Sequence, residues 1–136
     1  MEAEKGSMKR DKLDTLFSEL IRKRAIRDVG GCERCLHQKV DIVKDNGEIF
    51  PAWKQLQCSH FWGRGRQSVR FDEVNCCGLC GACHLYFTSH PSLHRDWFIK
   101  RLGEREFDLL AYRAQRPAKI DRLLIEIYLK EKIKEL

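Results

Sequence analysis

Two Cys-x-x-Cys pairs constrain this chain more than any other feature. Cys32 and Cys35 form the first pair, Cys80 and Cys83 form the second, and residues 36–79 lie between them. A turn of this spacing brings two sulfurs within reach of one tetrahedral ion at about 2.3 Å, and two such turns fill all four positions. The sequence therefore predicts a closed structural zinc site, with ordinary buried cysteines as the alternative.

The same prediction depends on the redox compartment. The N-terminal residues MEAEKGSMKRDKLD lack the apolar stretch of a secretory signal. No apolar run approaches the ~18 residues that span a bilayer. We therefore expect a cytoplasmic protein without a membrane segment, where thiols stay reduced and clustered cysteines more often bind metal. Disulfide pairing is the alternative, but the cysteine count of 7 is odd.

Length and patterning predict a single domain over residues 11–136, preceded by a disordered N-terminus over residues 1–10. A helix is expected over residues 11–28, a zinc-containing β region over 32–90, and helices over 91–136. The predicted class is therefore α+β. The first helix rests on apolar residues at amphipathic spacing: Leu13, Leu16, Phe17, Leu20 and Ile21.

Turn and strand signals lie between the two cysteine pairs. Asn46-Gly47 predicts a hairpin with a type I′ turn, because both residues tolerate positive φ. The segments KQLQCSHF and VNCCGL indicate two further strands, separated by the loop GRGRQSVRFDE. Three cysteines remain: Cys58, Cys76 and Cys77. We expect them to pack as small hydrophobic residues, with one set of alternating side chains from Asn75 to Leu79 facing the core. Substitution for a zinc ligand is the alternative.

Two apolar stripes are expected among the C-terminal helices. The first stripe comprises Leu93, Trp97, Phe98 and Leu102. The second, on a final helix over about 118–136, comprises Ile120, Leu124, Ile127 and Tyr128. The terminal YLKEKIKEL mixes both charge signs, which is typical of a solvated helix face, with a homodimer surface as the alternative.

The predicted elements place His60 at the end of a strand, Asn75 on the second strand and His84 at the start of the following helix. This order, with the phrases HFWGR, SVRFDEVN and CxxCHxYF, closely resembles the HNH (His-Me finger, ββα-metal) endonucleases, in particular the phage NinG/Rap-type recombination endonucleases. The similarity extends over about residues 13–114, including LFSELIRKRA and WFIKRLGEREFDLLAYRA. The resemblance implies a small ββα-metal core with a four-cysteine structural zinc, flanked by an N-terminal helix and C-terminal helices.

The resemblance also implies metal-dependent hydrolysis of DNA phosphodiester bonds, in phage or prophage recombination or DNA processing within a bacterial cell. His60 would then be the general base, because a neutral imidazole takes a proton from water near pH 7. Asn75 would hold the loop that carries His60. His84 would bind the catalytic divalent ion, Mg²⁺ or Mn²⁺. Branched recombination intermediates are the implied substrates.

One position departs from the family pattern. Many HNH enzymes have an acidic metal ligand directly before the base histidine, and here that position is Ser59. A hydroxyl is a poorer ligand than a carboxylate for a hard cation. His84 would then act with phosphate and water, or His90 or Asp72 would complete the ligand set.

The loop after His60 is the predicted DNA-binding surface. It carries Arg64, Arg66 and Arg70, and the chain has a formal net charge of +6. Arginine forks bind phosphate oxygens, and such contacts give salt-dependent affinity with little sequence preference. A solvated charged loop is the alternative.

Two other functions are compatible with parts of this pattern. A non-catalytic, zinc-stabilised module that binds nucleic acid would explain the cysteines, the arginines and Ser59. A zinc-dependent protein-interaction domain would explain the cysteines alone.

Overall fold

The computed structural model describes residues 9–136 and shows a small α+β protein. Over these residues it has five α-helices and two two-stranded antiparallel sheets. In chain order the elements are α1 (Lys12–Val29), β1 (Ile42–Val43), β2 (Ile49–Phe50), β3 (Gln57–His60), β4 (Cys76–Leu79), α2 (Gly81–Ser89), α3 (Pro91–Leu102), α4 (Glu104–Ala114) and α5 (Arg122–Lys134). Of the predicted disordered N-terminus, residues 1–8 lie outside the described residues. Within residues 9–136, no helix combines the length and apolar character needed to cross a bilayer.

The first helix follows its sequence signals closely. Asp11 and Asp14 form a reciprocal capping box, in which each carboxylate accepts a hydrogen bond from the backbone of the other residue. Gly30, at φ 75°, ends the helix in the left-handed conformation. The predicted apolar stripe is buried, apart from the partly exposed Leu16. The helix begins and ends within one residue of the predicted range.

The β1–β2 hairpin forms where Asn46-Gly47 predicted it, but the turn type is different. Gly47 has φ 87°, whereas Asn46 has a negative φ. The Gly47 amide donates to the Lys44 carbonyl at 2.9 Å, and the Lys44 amide donates to the Glu48 carbonyl at 2.8 Å. This is a three-residue loop with a left-handed glycine. The type I′ prediction is wrong because the Asn46 side chain accepts from the Glu48 amide at 2.9 Å and fixes the alternative turn.

Strands β3 and β4 pair antiparallel, with His60 opposite Cys76 and Ser59 opposite Cys77. One face of this sheet packs on α1 through Cys58 and Cys76. The other face packs on α2 and α3 through Cys77 and Leu79. All four residues of β4 are therefore buried, rather than the single alternating set that was predicted. Gly78 permits the contact with α1, because a Cβ there would lie 2.7 Å from that of Ala25.

The residues that the C-terminal helices bury differ from the predicted apolar stripes. Helix α5 begins at Arg122, four residues later than predicted, because the Asp121 carboxylate caps it by accepting from the Leu124 amide at 3.1 Å. Its buried residue is Leu129, with Ile125 and Ile133 partly buried beside it. The predicted residues Leu124, Ile127 and Tyr128 are exposed instead. In α3 the predicted Leu93 is likewise exposed, whereas Phe98 is fully buried.

Candidate functional site

The two Cys-x-x-Cys pairs meet and form a four-cysteine clasp. The sulfurs of Cys32, Cys35, Cys80 and Cys83 all lie within 4.8 Å of one another. The Sγ atoms of Cys35 and Cys80 are 3.9 Å apart. Four sulfurs around one tetrahedral ion at about 2.3 Å would lie about 3.8 Å apart. The clasp could therefore hold a metal such as zinc with little movement.

Hydrogen bonds favour the thiolate at one cysteine of the clasp, whereas burial and the neighbouring thiols oppose it at another. Burial opposes ionisation of Cys32, but the backbone amides of Cys35, Cys80 and Arg34 lower its pKa to about 7. Arg34 donates to the Cys83 sulfur at 3.4 Å and stacks over the Tyr86 ring at 4.1 Å. Burial and the neighbouring thiols nevertheless raise the pKa of Cys83 to about 12. A bound divalent cation would stabilise the thiolate form of these sulfurs, and four thiolates around it would carry a net charge of −2.

His60 and His84 border one cavity of about 460 Å³, which we call the α1 cavity because Asp14 and other α1 residues form its opposite wall. His84 Nδ1 lies 2.5 Å from Gln57 Oε1. Because an amide oxygen only accepts, Nδ1 carries the proton and the Nε2 lone pair is free for a cation. The sequence did not indicate this role for Gln57.

His60 is held neutral. Burial, and then the charge of Arg64, lower its pKa to about 4. Its Nε2 atom is buried and has no hydrogen-bond partner among the described residues. A neutral imidazole with an unused ring nitrogen has the protonation state that a general base needs at pH 7.

Asn75 is fully buried and connects the two ends of the loop after β3. Its Oδ1 accepts from the Trp62 amide at 2.8 Å, while Nδ2 donates to the carbonyls of Trp62 at 2.9 Å and Val69 at 3.3 Å. Its carbonyl accepts from the Phe61 amide at 2.9 Å. The loop-holding hydrogen bonds that the resemblance implied for this residue are present.

A second cavity of about 470 Å³ lies between the end of β3, α2 and α3, and we call it the α3 cavity. Ser59, His60, His84 and His94 line it. Burial, and then the charge of His84, lower the pKa of His94 to about 4, and its Nε2 has no hydrogen-bond partner among residues 9–136. Sequence reasoning missed His94, although its spacing four residues before the buried Phe98 gave a signal.

His90 and Asp72, the two alternative ligands, are placed elsewhere. His90 is exposed at the end of α2, with Nδ1 2.8 Å from the Tyr86 carbonyl and its ring stacked on Tyr86 at 4.4 Å. Asp72 accepts from Arg113 at 2.8 Å and from the Val74 amide at 3.0 Å. Neither residue lines the α1 cavity or the α3 cavity.

The three predicted DNA-binding arginines are not equivalent. Arg70 is 4% exposed and donates to both carboxylate oxygens of Asp14, at 3.0 and 2.6 Å, so the structure contradicts its predicted role on the surface. Arg64 borders the α1 cavity, with its guanidinium 3.5 Å from Asp14. Arg66 is exposed over the Trp62 ring at 5.2 Å.

No protein family, curated protein or solved structure was found to match this chain.

Proposed function

We propose that this protein is a metal-dependent endonuclease of the HNH type, which hydrolyses DNA phosphodiester bonds. One observation carries the proposal: His60, at the end of β3, and His84, on the helix after β4, border a single cavity, while Asn75 holds the loop between them. A neutral base and a free imidazole lone pair on one cavity are what metal-assisted hydrolysis requires.

In this reaction the residues of the chain have distinct roles. His60 is the proposed acceptor of the proton from the attacking water. Burial and the charge of Arg64 lower its pKa and keep it neutral at pH 7, and bringing that pKa closer to 7 in the complex with DNA and metal would strengthen it as a base. Arg64, at the rim of the same cavity, donates to a phosphate oxygen and orients the scissile bond. Asn75 keeps His60 in position by fixing the first residues of its loop.

His84 would hold the catalytic cation, together with His94 and the Ser59 hydroxyl on the α3 cavity. When bound, such an ion stabilises the negative charge that develops on the phosphate and the leaving oxygen. Among residues 9–136, Asp14 is the one carboxylate that lines the α1 cavity or the α3 cavity, and both of its oxygens accept hydrogen bonds from Arg70. A ligand set of imidazoles suits Mn²⁺ better than Mg²⁺, which prefers oxygen ligands.

Cleavage of supercoiled plasmid and of a synthetic four-way junction, with Mn²⁺ or Mg²⁺, tests the proposal. We expect nicked and linear products from the wild type, and at least a 100-fold slower rate from His60→Ala and from His84→Ala. His37→Ala and His90→Ala, which change exposed histidines, serve as matched controls and should cut normally. A wild type that cuts neither substrate with either ion, or a His60→Ala variant that cuts at the wild-type rate, would refute the proposal.

A second candidate function is a non-catalytic, zinc-stabilised module that binds nucleic acid. It is favoured by the hydroxyl at Ser59, where many HNH enzymes carry a carboxylate, and by the hydrogen bonds between Asp14 and Arg70. If the protein has this function, the wild type should slow the migration of the four-way junction in a gel and should not cut it with any divalent ion. The same plasmid experiment therefore separates the two functions.

A further inference from the structure

Two thiols and an imidazole meet on the α1-facing side of the β3–β4 sheet. Cys58 and His60 are two residues apart on β3 and share that face, and Cys76 lies opposite His60. One ligand atom from each residue lies within 4.8 Å of those of the other two. These three residues are separate from the four-cysteine clasp.

The imidazole of this trio is unusual for a buried group. Its Nε2 has no hydrogen-bond partner among the described residues. An unsatisfied buried polar atom costs about 1–3 kcal/mol, and native structures retain few of them. Cys77 gives a useful contrast: on the opposite face of β4 it packs in an apolar cluster that includes Leu79 and Phe98. Cys76 instead faces a second thiol and an imidazole.

We propose that Cys58, His60 and Cys76 form a second metal site, which binds Zn²⁺ through three protein ligands and leaves its fourth position open to the α1 cavity. Thiolate and imidazole are ligands of zinc and softer ions, whereas Mg²⁺ and Ca²⁺ prefer oxygen. On binding, the two thiols release their protons to solvent. Two thiolates then balance the charge of the ion, so the buried site is neutral overall.

The cavity determines how this site differs from the clasp. Cys58 and His60 both line it, so an ion reaches them from solvent. Arg10, Arg22 and Arg64 also line it and repel an approaching cation, only partly offset by Asp14. The same arginines favour an anion, such as hydroxide or phosphate, in the fourth position. The clasp, with four sulfurs, therefore fills first, and the second site fills at higher free zinc.

This site has a consequence for catalysis that rests on the proposed function. A zinc ion bound to the His60 imidazole withdraws electron density from the ring and makes His60 a poorer acceptor for the proton of water. Zinc at the second site therefore inhibits cleavage, while Mn²⁺ or Mg²⁺ supports it. The inhibition is reversible by a zinc chelator mild enough to leave the clasp filled.

Zinc stoichiometry of the full chain tests the site without any reference to activity. In chelator-buffered zinc we expect two ions per chain for the wild type, one for Cys58→Ala, and two for the matched control Cys77→Ala. Circular dichroism and thermal unfolding establish that each variant is folded. A wild type that stops at one ion per chain, or a Cys58→Ala variant that still takes two, would overturn the proposal.

A second measurement needs no variant. Native alkylation followed by peptide mass spectrometry reports the reactivity of Cys58 with one and then two zinc equivalents. We expect at least a fivefold fall in Cys58 alkylation at the second equivalent, and unchanged reactivity contradicts the site. The inhibitory consequence is checked as the ratio of plasmid cleavage with and without micromolar zinc. If the wild type never cuts DNA, the proposed function fails, yet the stoichiometry still decides the metal site.

Discussion

At the scale of single residues, the candidate site depends on side chains that never reach the surface. Asn75 makes three side-chain hydrogen bonds to the loop after β3, and Arg70, which belongs to that loop, forms an ion pair with Asp14. Neither side chain lines the α1 cavity: Asn75 joins the two ends of the loop that follows His60, and Arg70 joins this loop to α1. Their loss should therefore affect stability first and chemistry second.

Replacing Asn75 with alanine should lower the free energy of unfolding by about 3 kcal/mol. The change leaves the Trp62 amide without its side-chain acceptor in a buried position, which alone costs about 1–3 kcal/mol, and it removes two further hydrogen bonds. Urea unfolding measures the difference. Asn46→Ala is the matched control, because Asn46 is exposed and should cost less than about 1 kcal/mol. Equal losses in the two variants would contradict the bracing role.

Alanine variants of Arg70 and Arg66 should have different effects: the first should lower the free energy of unfolding, and the second should lower the affinity for DNA. Arg70→Ala removes both hydrogen bonds that a side chain donates to the buried Asp14 carboxylate and leaves it the Asp11 amide and the longer contact with Arg64 at 3.5 Å, for an expected loss of about 3 kcal/mol. Arg66→Ala should change stability by less than about 0.5 kcal/mol. If Arg66 contacts phosphate, its loss lowers DNA affinity and reduces the slope of log K against log salt by about 1. Denaturant unfolding measures the stability of each variant, and fluorescence-anisotropy titrations measure its affinity for DNA. Greater stability loss from Arg66→Ala would refute the assignment.

The Arg70–Asp14 pair also predicts a pH dependence. Burial alone would raise the pKa of Asp14, but hydrogen bonds from Arg70 and from the Asp11 backbone, with the charge of Arg70, lower it below 3.8. A carboxyl whose pKa is lower in the folded state stabilises the fold above about pH 4 and loses that contribution as the pH falls further. The stability gap between wild type and Arg70→Ala should therefore narrow below pH 4. A gap constant from pH 7 to pH 3 would rule this out.

Sequence order was enough to predict that His60 and His84 lie near each other, and the structure places both on one cavity, because strand ends and helix starts follow local turn and capping signals. Sequence order was not enough to predict where the side chains of Arg70, His90 and His94 lie. Arg70 finds its partner 56 positions away in the chain, and no local pattern reports such a contact. His90 and His94 lie within five residues of each other, yet only the packing of α3 on Phe61 and Phe87 places His94 on the cavity.

At the scale of elements, the face that a helix buries is set by its neighbour. Helix α5 packs on α1 beside Phe17 and Ile21, and it does so through Leu129. Between Leu123 and Leu129 every residue of α5 except Glu126 is apolar or aromatic, so spacing alone offers several equivalent stripes. The sequence therefore located this helix, but it indicated the wrong face. The β1–β2 hairpin shows the same limit. The sequence located its turn at Asn46-Gly47, but the predicted turn type was wrong.

Two leucines of α5 should differ sharply in their contribution to stability. Leu129 is 1% exposed and Leu124 is 62% exposed, so the same substitution probes both faces. Leu129→Ala should cost about 2–5 kcal/mol, because it leaves a cavity against α1. Leu124→Ala should cost less than about 0.5 kcal/mol. Thermal and denaturant unfolding give both values. Similar losses at the two positions would contradict packing of α5 through Leu129.

At the scale of the whole molecule, the clasp fastens a mostly irregular segment to the sheet. Residues 31–41 contain only turns and isolated bridges, and they join the β4–α2 junction through the four cysteines. Glu33 strengthens this connection, since its amide donates to the Gly78 carbonyl at 2.9 Å and its carboxylate accepts from the Gly78 amide at 2.6 Å. Cys32 and Cys83 also belong to the core cluster of Phe87 and Phe98. The Cys-x-x-Cys spacing predicted this long-range contact because four thiolates around one ion leave little freedom.

Cys35 offers the most direct test of the clasp as a stabilising zinc site. Its side chain is exposed, so replacing sulfur with oxygen removes little packing, and any large loss reports metal binding. Cys35→Ser should lower the free energy of unfolding by at least about 3 kcal/mol and should retain less zinc. Adding a strong chelator should destabilise the wild type to a similar extent and change Cys35→Ser little. Cys77→Ser, outside the clasp, should keep its zinc and its response to the chelator. A wild type that is indifferent to the chelator, with Cys35→Ser equally stable, would show that the four sulfurs hold no structural ion.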